Sequence, residues 1–208
     1  MNEVLMTLSS HKIIPVVVLN RTEDAVPLMK ALIKGGLPVA EVTFRTDAAL
    51  ESIRLISSAF PDAILGAGSV STVEQVRSAL DAGAKYIVSA GFSKKVVDYC
   101  VENEIPVLPG TCTPTEIMMA LEAGLDTVKF FPAEQYGGLS TIKALSAPFP
   151  GVRFVPTGGI NKSNIAEYLA FDKIIACGGS WMVKDTLISN KEFDKIAELT
   201  AEAVNMLK

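Results

Sequence analysis

Short runs of apolar, β-branched residues alternate along this chain with amphipathic runs of about a dozen residues. The first apolar run, 13–19, reads IIPVVVL. Helical spacing follows over 23–34 and is stopped by Gly35-Gly36. The same rhythm predicts strands at 39–44, 64–67, 86–89, 106–108, 127–130, 153–156 and 174–177. It predicts helices at 48–60, 72–82, 94–104, 114–123, 138–146, 163–169 and 192–206. Thr113 before Pro114 has the chemistry of a helix N-cap, and Gly124 that of a helix stop. Eight strands, each followed by a crossover helix, are the count of a closed (β/α)8 TIM barrel. A doubly wound open sheet is the alternative. It would place a glycine-rich fingerprint after the first strand, where this chain has Leu19-Asn20-Arg21-Thr22.

Composition narrows the picture. At 208 residues the chain is short for such a barrel, with room for one core rather than two, so a single domain over 1–208 is expected. With 49% hydrophobic and 20% charged residues, disorder is excluded. The net charge of −4, without a run of Lys or Arg, offers no footprint for nucleic acid or an anionic membrane. Any anion must therefore be held locally. Cys100, Cys112 and Cys177 are widely spaced, there is one histidine, and no zinc-ligand spacing occurs. The cysteines read as reduced thiols of a cytoplasmic protein. Residues 1–10 lack the pattern of a secretory signal, and no apolar run is long enough to span a bilayer.

In parallel barrels the chemistry sits at the C-terminal ends of the strands. Lys129 there lies in Thr127-Val-Lys-Phe-Phe-Pro132, an otherwise apolar strand. An ammonium facing the interior is costly unless paired or deprotonated, and a neutral amine can attack a ketone to form an imine. The alternative is an outward lysine snorkelling to water. Glu41 shares the two-residue period with Thr43 and Arg45, so one face of that strand carries all three. A lumenal carboxylate would offset a lumenal lysine and move protons beside an imine. Arg45, four residues beyond Glu41 and nearer the mouth, has a fork suited to carboxylate or phosphate, or is a solvated rim charge. Thr157-Gly158-Gly159 and Gly178-Gly179-Ser180 end the last two strands. Glycines there let backbone N–H groups approach an anion, although Gly-Gly also marks ordinary turns.

Together these residues resemble the 2-keto-3-deoxy-6-phosphogluconate (KDPG) and 4-hydroxy-2-oxoglutarate (KHG) aldolases. The likeness runs from Ile14-Pro-Val-Val through Glu41-Val-Thr-Phe-Arg-Thr, Gly66-Ala-Gly-Ser, Leu108-Pro-Gly-Thr, Val128-Lys-Phe-Phe-Pro-Ala-Glu and Pro156-Thr-Gly-Gly-Ile to Gly178-Gly-Ser-Trp. It implies a (β/α)8 barrel with an extra N-terminal helix, a homotrimer, and a class I aldolase needing no metal or other cofactor. It implies further that Lys129 is the Schiff-base lysine, Glu41 the general acid/base and Arg45 the carboxylate-holding arginine. Ser69 stands where the family commonly has threonine, and would serve the same carboxylate. Gly158, Gly159 and Ser180 match the phosphate-binding positions, with Thr157 and Phe131 lining the pocket. Ala90 departs from the family's usual proline beside the substrate, a change that would loosen the turn.

The resemblance thus implies reversible cleavage of 2-dehydro-3-deoxy-6-phosphogluconate to pyruvate and glyceraldehyde 3-phosphate, or of 4-hydroxy-2-oxoglutarate to pyruvate and glyoxylate. Rival readings are cleavage of the galactonate-derived epimer, another phosphate-binding barrel enzyme, and a non-catalytic sugar-acid phosphate binder.

Overall fold

The structure, a computed structural model, describes residues 2–207. Helix α1 (Glu3–His11) leads into β1 (Ile13–Val17); after a 3-10 turn at Thr22–Asp24 comes α2 (Ala25–Lys34). The alternation continues through β2 (Val39–Thr43), α3 (Ala49–Ala59), β3 (Ile64–Gly68), α4 (Val73–Asp81), β4 (Tyr86–Val88) and α5 (Lys94–Glu102). Next come β5 (Val107–Leu108), β6 (Gly110–Thr111), α6 (Pro114–Glu122) and β7 (Thr127–Phe130). A 3-10 turn at Glu134–Tyr136, α7 (Gly138–Ser146), β8 (Arg153–Pro156), α8 (Ile165–Leu169) and β9 (Cys177–Gly179) follow. Helices α9 (Asp185–Ser189) and α10 (Phe193–Met206) complete the described chain.

The result is an α/β fold on a curled parallel sheet. Six strands run in the order β5-β4-β3-β2-β1-β9 and three in the order β6-β7-β8, every pairing parallel. Isolated bridges Phe154↔Ile174 and Thr157↔Gly178 link β8 to the segment around β9. Parallel neighbours require crossovers, and the amphipathic helices supply them, packing one apolar face on the strands. Two helix starts carry full capping boxes, Thr72 with Gln75 and Thr113 with Glu116.

Some expected boundaries shift for local reasons. The strand expected at 106–108 appears as β5 and β6, interrupted at Pro109. Proline has no N–H to give the ladder, but its carbonyl accepts the Lys129 N–H at 2.9 Å. The last strand forms at Cys177–Gly179 rather than 174–177, because Gly178 and Gly179 pair with Ile14 and Pro15 of β1. Ile174 keeps only its bridge to Phe154. The helix expected over 163–169 begins at Ile165, since Asn161 and Ser163 are occupied in a hydrogen-bonded turn.

Tyr86, Phe130 and Phe154 are the largest fully buried side chains of the core. Tyr86 lies over β3: a Cβ at Gly66 would fall within its ring, so the residue beneath has to be glycine. The three thiols are unpaired with one another. Burial pushes Cys100 up to about 11 and raises Cys177 as well. Among the described residues no helix is long and apolar enough to cross a membrane.

Candidate active site

Strands β2 and β7 bring Glu41 and Lys129 together across the sheet. Lys129 Nζ donates to Glu41 Oε1 at 3.3 Å, and the two side chains are only 6% and 4% exposed. Val128 and Phe130 flank the lysine in sequence and Ala40 and Val42 the glutamate; all four are buried, on the opposite faces of their strands. Lys129 is held by pairing on both sides, with Gly110 of β6 and Val155 of β8. Its ammonium also lies 5.2 Å from the centroid of the Phe131 ring.

Room for the carboxylate comes from β3. A Cβ at Gly68 would stand 2.8 Å from Glu41 Cγ and closer still to Oε1. Tyr86 is the next large group in this part of the interior, and its hydroxyl donates to the Ala40 carbonyl at 3.3 Å. Burial, and then the charge of Glu41, raise the phenol well above its ordinary range. It therefore stays neutral beside the glutamate.

A cleft of about 190 Å³ opens at the C-terminal ends of the strands, and neither Lys129 nor Glu41 is among the residues that line it. Arg45, Phe131, Thr157, Gly158, Gly159 and Ser180 line it. These are six of the ten residues singled out by sequence, and Phe131 connects them to Lys129. Ser69 and Ala90 instead line a neighbouring recess of about 240 Å³. Ser69 is tied back to the cleft by Arg45, whose Nε donates to its hydroxyl at 3.3 Å. Val16 and Val18 also line the cleft and were not foreseen; they belong to an apolar run with no chemical signal. Gly68 and Tyr86 were likewise invisible as site residues, since their roles are steric. A larger cavity, about 360 Å³, lies at the opposite strand ends around Leu5, Pro106, Val107 and Thr127. None of the ten residues singled out by sequence lines it, whereas six of them line the smaller cleft.

Among the described residues no group of three or more His, Cys, Asp or Glu side chains is gathered to hold a metal. The arrangement is a desolvated amine with a carboxylate at its side. One cation fork and several glycine peptides lie at the mouth. Such a set can attack a carbonyl, move protons at the resulting adduct and hold anionic ends of a small molecule.

Comparison with known proteins decides the family. Residues 4–199 match the family model described as KDPG and KHG aldolase. The chain belongs to the KDPG and KHG aldolase family. It is 48% identical over 196 residues to the 2-dehydro-3-deoxy-phosphogluconate aldolase of Treponema pallidum, covering 94% of this chain and 93% of that one. With the KHG/KDPG aldolase of Escherichia coli K12 it shares 40% over 97% of this chain and 94% of the relative. A crystal structure of the Legionella pneumophila KDPG aldolase superposes with a TM-score of 0.93 at 39% identity, covering 97% and 98% of the two chains. That structure holds pyruvate captured as a covalent carbinolamine intermediate.

The role of Gly68 gives a direct test. Gly68→Ala is expected to push the Glu41 carboxylate out of its seat. A crystal structure of the variant should show the Lys129–Glu41 separation beyond 4 Å, or a stability loss of about 1–3 kcal/mol from overpacking. An unchanged contact with unchanged stability would mean that Gly68 does not position the carboxylate.

Proposed function

We propose that this chain is a class I aldolase, a carbon–carbon lyase that reversibly cleaves 2-dehydro-3-deoxy-6-phosphogluconate to pyruvate and glyceraldehyde 3-phosphate. It would also cleave 4-hydroxy-2-oxoglutarate to pyruvate and glyoxylate. The observation that carries this reading is the buried Lys129–Glu41 pair beside a cleft with anion-binding groups. Family membership and relatives at 40–48% identity support it.

In this mechanism Arg45, with Ser69, takes the keto-acid carboxylate and orients C2 toward Lys129. Glu41 takes a proton from the Lys129 ammonium, and the freed amine attacks the C2 carbonyl to give a carbinolamine. Glu41 delivers the proton with which the hydroxyl leaves as water, and an imine forms. Glu41, now a carboxylate, removes the C4 hydroxyl proton through water. The C3–C4 bond breaks, its electron pair moves into the imine to give an enamine, and the aldehyde departs. Protonation at C3 and hydrolysis of the imine return pyruvate and the free amine. One carboxylate serves several steps because they are sequential. Gly158, Gly159 and Ser180 hold the phosphate while Thr157 and Phe131 wall the pocket. Ala90 shapes the turn next to the carboxylate end.

The gluconate-derived substrate is preferred over the galactonate-derived epimer. The 2-dehydro-3-deoxy-phosphogluconate aldolases of Treponema pallidum and Haemophilus influenzae are 48% and 43% identical to this chain, whereas a solved KDPGal structure matches at 26% with a TM-score of 0.77.

Three further features belong to the same reading. The two sheets form one closed (β/α)8 barrel with α1 as its extra N-terminal helix. Supporting this, β5 and β6 are consecutive segments about Pro109, and β8 bridges to the β9 segment. The chain is a single domain, as its one hydrophobic core running from Leu5 to Ala203 suggests. It works in the cytoplasm as a homotrimer, and exposed Val101, Met118 and Leu121 on α5 and α6 offer apolar surface for a partner copy. A monomeric mass in sedimentation would overturn the trimer.

Two experiments test the chemistry. Borohydride with pyruvate should leave a reduced adduct on Lys129, and Lys129→Ala should lower turnover by orders of magnitude with the fold intact. An adduct on another lysine, or none, would sink the mechanism. Ser180→Leu should lower kcat/KM on the phosphorylated substrate at least about tenfold, equivalent to about 1.4 kcal/mol. Cleavage of unphosphorylated 4-hydroxy-2-oxoglutarate should suffer much less. Equal losses on both would make Ser180 structural.

A further inference from the structure

The loop after β8 is pinned in a way that the reaction scheme does not use. Gly158 and Gly159 have φ of +100° and +79°, so both stand in the left-handed region. Their carbonyls are anchored on groups outside the cleft. The Gly158 carbonyl accepts the Glu134 N–H at 3.1 Å. The Gly159 carbonyl accepts two side-chain amides, Asn161 Nδ2 at 3.0 Å and Asn164 Nδ2 at 3.1 Å. These amides are themselves oriented. Asn164 Oδ1 accepts the Asn161 N–H at 2.8 Å, and Asn161 Oδ1 accepts the Ser163 N–H at 2.9 Å. Each oxygen thus meets a backbone donor, which leaves each Nδ2 for the Gly159 carbonyl.

In a trans peptide the C=O and N–H point in opposite directions. Anchoring the Gly158 carbonyl therefore aims the Gly159 N–H away from Glu134. Anchoring the Gly159 carbonyl aims the Ile160 N–H away from the two asparagines. Neither N–H donates to any protein acceptor among the described residues. Both residues line the cleft. Two successive unpaired donors in such a turn make a concavity for an anion.

We propose that Asn161 and Asn164 are positioning residues that set the selectivity for phosphorylated substrates. Their two amides hold the Gly159–Ile160 peptide in the one orientation that presents its N–H to the phosphate. Glu134 fixes the preceding peptide through its backbone and underlies Gly159, where a Cβ would stand 2.6 Å from Glu134 Cβ. The asparagines are thus the part of the clamp that side-chain replacement can remove. Without them the peptide is free to rotate, and its carbonyl would face the phosphate instead. The inference rests on the phosphate reading of the cleft given above.

The test uses Asn161→Ala, Asn164→Ala and the double variant. Three quantities are compared with the parent: kcat/KM on 2-dehydro-3-deoxy-6-phosphogluconate, kcat/KM on 4-hydroxy-2-oxoglutarate, and the inhibition constant of inorganic phosphate. In the double variant, kcat/KM on the phosphorylated substrate should fall, and the phosphate inhibition constant should rise, each at least about tenfold. The unphosphorylated substrate should change less than about twofold, and borohydride trapping of pyruvate should persist. If the double variant fails to fold, Asn164→Ala alone should shift the same two constants by a few-fold. Equal losses on both substrates would make the asparagines merely structural and overturn the proposal. Phosphate inhibition of the parent that is unchanged in the variants would also overturn it, leaving the phosphate site standing. No phosphate inhibition and no preference for the phosphorylated substrate in the parent would overturn the phosphate site and the proposal together.

Discussion

The contact between Lys129 and Glu41 is the constraint around which the interior is arranged. Two opposite charges taken almost entirely out of water repay little of their desolvation, and an apolar pair of similar volume is often as stable or more so. Removing one partner alone costs about 3–5 kcal/mol, because the other is left buried and uncompensated. The pair is therefore poorly explained as a stabilising device and well explained as chemistry. In the proposed mechanism the carboxylate carries the protons while the lysine, near Phe131, attacks a carbonyl. The surrounding sequence yields to that need: β3 gives up two side chains, at Gly66 and Gly68, so that Tyr86 and the Glu41 carboxylate fit over it.

The glycines of β3 also explain why this strand is an expensive one to build. Glycine in a strand interior loses entropy on folding and packs nothing. The cost is offset when its neighbours fill the space. Tyr86 buries its ring over Gly66 and satisfies its hydroxyl on the Ala40 carbonyl. The Glu41 carboxylate covers Gly68 and leans toward the strand's C-terminal end, where the cleft opens. Steric permission at 66 and 68 and chemical function at 41 and 129 are two sides of one packing solution.

The sequence carried the alternation of elements and the two ionisable residues, because both leave local marks. Apolar runs of four to seven residues between helical stretches announce strands, and a lone lysine or glutamate within such a run stands out. Less legible was anything set by partners distant in the chain. The pairing of Gly178 and Gly179 with β1 moved the last strand onto residues that locally look like a turn. Pro109 split a strand whose flanks are otherwise uniform. Val16 and Val18 face the cleft but differ in no local way from the valine between them. Ser69 and Ala90, adjacent to the site by motif, face a neighbouring recess, joined to the cleft through Arg45. Even the brace behind Gly159 lies in plain view as Asn161 and Asn164, yet only the three-dimensional loop reveals where their amides point.

Net charge makes the local character of anion binding a necessity. With a formal charge of −4, the chain as a whole repels a substrate carrying a carboxylate and a phosphate. Affinity has to come from donors within hydrogen-bond reach, and these are divided between two ends of the cleft. Arg45 supplies a full charge at one end, partly steadied by Ser69. At the other end the donors are peptide N–H groups, which carry no formal charge but need no reorganisation once their carbonyls are fixed. Hydrogen bonds to a charged group contribute about 1.5–3 kcal/mol each, so two or three fixed donors would suffice to anchor a phosphate at the proposed site. Binding energy gained there is remote from the C3–C4 bond and can hold the keto group at the amine. In the proposed mechanism, a rigid loop at 158–160 and a rigid lysine at 129 would act on the same molecule from opposite ends.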